Sequence, residues 1–379
     1  MTVTLAARTP SRNASLGELA ALLQDEHHRK LDVVAPASTI RAEDGRLIIQ
    51  GTAHELSPTG VTTRAGAFRP TGVCEAGIAE KLGIPVGYLR KVRTEAPELW
   101  DANVNGWLDR TDRSFMVRTL LPGDQGEGIA RAMLSTGYRI IDNLDILTAA
   151  LDGVRSAGVD VRIDSCDLSD KRMYVRIIAD QVRAYAPKLL RNYRSPFTGD
   201  RGADNPVVFA GFEISNSETG CGAFTITPRL VVQVCNNGMT ITRDAERNVH
   251  LGGRHDDGVV KWSNETVERV LKVVTSKTAD AVRTFLRESY VQEQLHRIES
   301  TAGTPITNPE ETITTVSKAL RFNEDTRAAL FNHFIAGADV TAGGVLHAVT
   351  SVAQTLPDAD EAHDLEAQGL RAMELAAAA

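Results

Sequence analysis

The sequence predicts an α+β protein, with a central antiparallel sheet, a long helix packed on it and a helical C-terminal region. Three observations point there. The stretch Asn205–Thr242, NPVVFAGFEISNSETGCGAFTITPRLVVQVCNNGMTIT, is the densest run of β-branched and aromatic residues, punctuated by turn formers. A broad apolar stripe at helical spacing follows from Ser263 to about Glu299. From Thr301 onward the pattern is helical, each segment opened by a capping residue.

Composition bounds the class. The chain has 379 residues with 42% hydrophobic and 24% charged, enough to bury a core without metal or disulfide staples. No stretch approaches eighteen apolar residues, which excludes a transmembrane helix. The start, MTVTLAARTPSRN, lacks the apolar core of a signal peptide, so a cytoplasmic protein is expected. Cys74, Cys166, Cys221 and Cys235 form no CxxC pair and read as reduced thiols, with Cys221 and Cys235 placed to face each other across a hairpin. The net charge is −7, and Thr301–Ala379 carries all of it, with 4 Lys/Arg against 11 Asp/Glu. The first 300 residues are neutral, so the low pI leaves room for a basic surface.

Taken in order, residues 1–14 read as an unordered N-terminus. Ser15 with Glu18 forms a capping box for a short helix carrying Leu16, Leu19, Leu22 and Leu23. Gly45–Gly51, GRLIIQG, is a short strand, and residues 52–70 read as loop or edge. Val73–Arg93 has helix-turn-helix spacing: Ile78, Ala79 and Leu82 on the first helix, Gly83 at the left-handed turn, Leu89 and Val92 inside the second. That second helix offers Arg90, Lys91 and Arg93, the residue types that meet phosphates and base edges in DNA-binding pairs. The same spacing also serves an ordinary helix pair.

Arg113–Leu121 is a strand, PGDQGEG a flexible connection, and Ile129–Ser135 a short helix. The connection lacks GxxxxGK[ST] and carries Asp124 and Glu127, which argues against a phosphate cradle. Asp142 or Asn143 caps a helix to about Ser156, and two strands follow around a turn at Ser169–Lys171. In Asn205–Thr242 the pattern gives three strands, with tight turns at Pro228-Arg229 and Asn237-Gly238. The 35 or so residues after Ser263 would make a rod of about 50 Å, with a break near Glu288–Gln292 as the alternative. Helices opened by Asn308, Asn323 and Thr341 end the chain with an acidic Ala-rich segment. The domain division is then an α/β region over 15–110, the sheet-and-helix core over 111–300 and the acidic helical region over 301–379.

The candidate sites follow from residue types. Lys171–Arg201 holds 8 basic residues against 2 acidic ones, interleaved with Tyr174, Tyr185, Tyr193 and Phe197. Arg172, Tyr174, Arg176, Arg183, Lys188, Arg191, Tyr193 and Arg194 are the candidate nucleic-acid contacts, since cations track a backbone and aromatic rings stack on bases. Asn216, Ser217 and Glu218 bring an amide, a hydroxyl and a carboxylate together in a polar loop. His250, His255, Asp256 and Asp257 are acceptable metal-ligand types, but their spacing matches no metal motif, so neither metal nor cofactor is expected.

The motif order resembles the uncharacterised phage/plasmid-like family (domain of unknown function 932), in its actinobacterial form. The resemblance is carried by YRIIDNLDIL (Tyr138–Leu147), PVVFAGFEISNSETGCGAF (Pro206–Phe224), PRLVVQVCNNGMTITRDA (Pro228–Ala245), GADVTAGGVLHAVTSVAQ (Gly337–Gln354) and LGIPVGYLRKV (Leu82–Val92). It covers most of the chain from about residue 60. It implies a setting on phages, plasmids and integrated elements, with roles in DNA replication, recombination or defence evasion. It assigns no catalytic residue.

The leading expectation is a protein that binds or anneals single-stranded DNA without catalysis, as a homo-oligomer and away from membranes. Annealing proteins place a three-strand sheet against a long helix, an analogy of fold alone. In that reading the acidic tail is a competitor or partner-binding arm. The alternatives are a nucleotide- or nucleic-acid-processing enzyme using Asn216, Ser217, Glu218 and His250, and an antirestriction or regulatory factor. No P-loop or nucleophile–base motif supports the enzyme.

Overall fold

Two antiparallel-rich sheets joined through a buried polar seam carry the chain. The computed structural model describes residues 11–57, 60–122, 127–138, 141–234, 238–248 and 264–379. Elements in order are β1 (Ser11–Ala14), α1 (Leu16–Arg29), β2 (Lys30–Pro36), β3 (Ile40–Glu43), β4 (Arg46–Ser57), β5 (Gly60–Pro70), α2 (Gly72–Leu82), α3 (Val86–Glu95), α4 (Pro97–Leu108), β6 (Ser114–Leu120) and β7 (Gly128–Ser135). There follow α5 (Asn143–Ala157), β8 (Arg162–Leu168), β9 (Met173–Tyr185), α6 (Pro187–Leu190), β10 (Val207–Asn216), β11 (Phe224–Val232), β12 (Gly238–Thr240) and β13 (Glu246–Asn248). The rest is helical: α7 (Asn264–Phe285), α8 (Glu288–Ala302), α9 (Pro309–Leu320), α10 (Glu324–Gly337), α11 (Ala342–Thr355), α12 (Ala359–Glu366) and α13 (Gly369–Ala378). The α+β class, the antiparallel sheet and the helical C-terminal region are as the sequence predicts.

The first sheet runs β2-β6-β7-β5-β4-β3, with one parallel pair, β5 with β7. Helices α2, α3 and α4 close its core on Leu47, Ile49, Phe68, Ile78, Trp100, Phe115 and Val117. The expected helix pair is α2 and α3, with Gly83 at φ 69°. The second sheet runs β1-β8-β9-β10-β11-β12, with β13 also on β11. Helices α5 and α7 pack on each other beside β10, and α11, α12 and α13 reach β12.

Several expectations are corrected. Ser11–Ala14 is not unordered: it pairs with β8, anchored where the Asn13 amide donates to Asp167 at 2.6 Å. Residues 52–57 and 60–70 complete the long β4–β5 hairpin rather than a loop. Ile129–Ser135 is strand β7, not helix; it lies between β6 and β5, so its run of buried residues reflects a central strand. Strands β6 and β7 also belong to the first sheet, which moves the boundary of the N-terminal region well past residue 110.

Pro228 makes no turn. It lies inside β11 opposite Phe212, so three expected strands become two before β12. Strand β12 pairs with Arg229–Val231 and β13 with Phe224–Ile226, leaving Pro228 in the gap between them. The Pro228 carbonyl still accepts from the Ile241 amide at 2.9 Å, and the reciprocal N–H that proline lacks coincides with the end of the β11–β12 ladder. The long helix is two, broken at Leu286–Arg287. The acidic tail is no free arm: Met373 and Ala376 are buried, and Glu366 is bonded to Arg229.

Candidate functional site

The excursion between β9 and β10 builds the most open cationic surface. Tyr185 ends β9 opposite Val207, and the Ala186 amide donates to the Pro206 carbonyl at 2.7 Å, closing the base of the excursion. The short α6 buries Leu189 and Leu190, and the Glu299 carboxylate accepts from the amides of Lys188 and Leu189 at 2.8 and 3.1 Å. Arg194 then bridges to Arg201, and the Arg194 amide is tied to the Gly337 carbonyl at 2.9 Å. Inside that bridge, buried Ser195 accepts from the amides of Phe197 and Thr198, both at 3.3 Å. The Ser195 amide donates to the Asp200 carbonyl, and that of Gly199 to the Ser195 carbonyl, each at 2.9 Å. The result is a tightly bonded loop with Phe197 at its apex, 47% exposed, and two arginines at its base.

Arg183, Lys188, Arg191, Arg194 and Arg201 are all exposed, and none pairs with a described carboxylate. Tyr185, 66% exposed, shares a strand face with Arg183. The only acidic residues between 183 and 204 are Asp200 and Asp204.

Other candidates are placed differently. Tyr174 is buried, and its hydroxyl donates to Asp360 at 2.8 Å. Tyr193 is buried and stacked on His347 at 4.0 Å between centroids. Neither ring is open to a base. Arg176 is buried, bonded to Asp167 and 3.1 Å from Glu213. Arg172 donates to the Cys221 carbonyl at 3.1 and 2.7 Å and so secures a loop. On α3, Arg90 donates to the Gly72 carbonyl at 3.3 Å, Lys91 is 3.8 Å from Glu95, and Arg93 donates to the Gly45 carbonyl at 3.2 Å. Arg93 is half-buried and braces the β3–β4 turn, whereas Arg90 and Lys91 stay exposed on α3. Alternation does not separate Tyr174 from Tyr185: residues 173–179 of β9 are buried on both faces, and exposure begins at Asp180, where the strand runs out from under helices nearly two hundred residues away.

The polar loop is a joint. Asn216, Ser217 and Glu218 are buried where the two sheets meet. Glu218 accepts from Arg131 of β7 and from the Asn143 amide, at 3.0 Å, at the N-terminus of α5. Arg118 of β6 donates to the Glu218 carbonyl at 2.6 Å, to Asp32 at 2.9 and 3.1 Å and to Asp142 at 2.6 Å. Asn216 donates to the Asn143 side chain at 2.8 Å, and the Cys221 amide donates to Ser217 at 2.9 Å. Burial alone would raise the Asp142 carboxyl, but Arg118 and Lys30 outweigh it and hold it at about 2. Asn216 and Glu218 of the polar loop are therefore occupied in holding strands β6, β7 and helix α5 to the end of β10, and Ser217 in closing the loop on Cys221.

Beyond this joint, Thr219–Cys221 form one wall of a cleft of about 420 Å³, faced by Gly72, Lys81 and Arg90 of the first sheet's helices. Burial raises the Cys221 thiol above its ordinary value, the reverse of what an activated nucleophile needs. Among the described residues no group of three His, Cys, Asp or Glu is gathered for a metal, and no helix is long and apolar enough to cross a membrane. His250, His255, Asp256, Asp257 and Cys235 lie outside the described residues. The chain matches no family model, no curated protein and no solved structure, so the resemblance to the phage/plasmid-like family rests on the quoted motifs alone.

Proposed function

We propose that this chain binds single-stranded nucleic acid, DNA foremost, without catalysis, along the cationic edge from Arg183 to Arg201. The observation that supports this most is the five exposed cations without carboxylate partners beside the exposed rings of Tyr185 and Phe197. Cations that no protein carboxylate neutralises are free to displace counterions from phosphates, and an exposed ring offers a face to any base. The loop bonds around Ser195 hold Phe197 and the two arginines in place before binding, which lowers the ordering cost. In the annealing form of the reading the protein acts as a homo-oligomer in the cytoplasm, within the mobile-element setting that the resemblance implies.

The test is fluorescence anisotropy of a labelled oligothymidine and of the same-length duplex, from low salt upward. The single strand is expected to bind more tightly. Charge reversal by Arg191→Glu with Arg194→Glu is expected to abolish binding without unfolding the protein. No binding at low salt, or binding indifferent to the reversal, overturns the proposal. Light scattering tests assembly, and a monomer both free and bound overturns the annealing form.

A further inference from the structure

The helices that cover the first sheet carry an apolar patch that stays open among the described residues. Helix α4 turns Trp100, Val104 and Leu108 into the core. Leu99, Asn103 and Trp107 follow one another at intervals of four, so they share a second stripe of the same helix. Leu99 and Trp107 are each 48% exposed.

Tyr88, 44% exposed, and Val86 widen the patch from α3. Asn103 Nδ2 donates to Tyr88 Oη at 3.3 Å and to the Leu99 carbonyl at 2.7 Å, which holds ring and stripe side by side. The Arg110 guanidinium stands 6.0 Å from the centre of the Trp107 ring. One apolar stripe is enough to dock a helix on a core, so the second is not needed for the fold. Trp, Tyr and Arg are also the side chains that most often anchor protein interfaces.

Charge selects the occupant. Residues 86–113 hold five Lys/Arg and five Asp/Glu, so no excess of cations draws a nucleic acid to this face. Two of the carboxylates are spent within the fold: Asp101 accepts from the amides of Asp44 and Gly45, and Asp109 pairs with Arg41 at 3.0 Å. Glu98 in the first turn of α4 and Arg110 just past its last turn are exposed, and neither has an opposite charge beside it among the described residues. The two ends of the stripe therefore carry opposite spare charges. A second copy laid antiparallel on α4 brings each Arg110 to the other copy's acidic start, and each Trp107 to the other copy's Leu99. One surface used twice meets both needs, as in an isologous two-fold contact.

Two rings and two aliphatic side chains at about half exposure leave roughly 350 Å² open on each copy. Doubled, and with its polar rim, that comes to about 1,000–1,200 Å², the low end for specific association, so a weak dimer is expected.

We propose that α3 and α4 form an antiparallel two-fold interface between two copies of this chain, centred on Asn103. The interface does not rest on the nucleic-acid reading, although it would supply the assembly that the annealing form of that reading calls for.

Sedimentation velocity of the full chain without nucleic acid, from low to high micromolar concentration, tests it. A reversible monomer–dimer equilibrium is expected. Trp107→Glu places a charge in the patch and is expected to weaken the dimer about 30-fold or more while the protein still melts cooperatively. Arg110→Glu is expected to weaken it less, and adding Glu98→Arg to that variant to restore it. The Arg191→Glu, Arg194→Glu variant is expected to dimerise like the unmodified protein, so this interface and the nucleic-acid edge fail separately. A monomer at every concentration, a dimer that Trp107→Glu leaves intact, or a dimer lost in the Arg191→Glu, Arg194→Glu variant overturns the proposal. No recovery on charge exchange overturns the antiparallel arrangement. Loss of oligothymidine binding in a Trp107→Glu protein that remains dimeric would make the patch a platform for bases and overturn the interface.

Discussion

Replacing Arg191 and Arg194 by alanine removes two of five exposed, unpaired cations and leaves Arg183, Lys188 and Arg201. On a single strand, each phosphate neutralised contributes roughly −0.7 to the slope of log affinity against log salt. Five contacts give a slope of about −3.5, and three give about −2. Between roughly 50 and 200 mM salt, affinity then falls about 100-fold for the unmodified protein and about 20-fold for the variant. Both side chains are exposed and make no ion pair, so folding stability is expected to stay within about 0.5 kcal/mol. The assay is anisotropy of a labelled oligothymidine across the salt series, with a urea melt of each protein as control. A slope that the double substitution leaves unchanged refutes the reasoning, because the cations counted would not be those that meet phosphate.

Phe197→Ala is expected to weaken single-strand binding by about 1–3 kcal/mol with the salt slope intact, and a changed slope with unchanged low-salt affinity would deny the ring a stacking role. Glu218→Ala leaves Arg131 and the N-terminus of α5 without their buried carboxylate, so a loss of about 3–5 kcal/mol is expected in denaturant melts. A loss below about 1 kcal/mol would show that the seam between the sheets does not depend on it. Burial pushes His347 down from 6.5 to about 4, with its hydrogen bond to the Leu189 carbonyl only partly opposing this. The unfolded chain therefore takes up this proton first as pH falls below about 6.5, and about 3 kcal/mol of stability drains away by about pH 4. Denaturant melts across that window are expected to show a shallower fall in His347→Gln, and parallel profiles would contradict the assignment. His363 has the opposite sign. Its pKa is raised beside Glu213, so its contribution is complete below the unfolded value of 6.5 and is lost as pH rises through the folded value. His363→Gln is expected to flatten the alkaline side of the same stability profile.

Local chemistry was legible. The Ser15–Glu18 capping box, the left-handed turn at Gly83 and the caps at Asn308, Asn323 and Thr341 all stand where the sequence predicts them. Each is settled by bonds within three or four residues, so the sequence alone determined where these helices begin or turn. The cationic stretch was legible as composition. Which of its side chains face solvent was not, because elements far along the chain cover both faces of β9 over residues 173–179 and leave Arg183 and Tyr185 at its end exposed. Tyr174 and Arg176 went inward under α12, and Tyr193 went inward against His347 of α11. Only the tertiary structure decided that β7 is a strand, that Pro228 sits harmlessly in the gap between β12 and β13, and that Glu218 is a fastener. The physical reason is the span of the bonds concerned: Arg118 meets the Glu218 carbonyl across 100 residues, and Arg229 meets Glu366 across 137. A buried charge is fixed by its partner, and no local window of the sequence contains that partner.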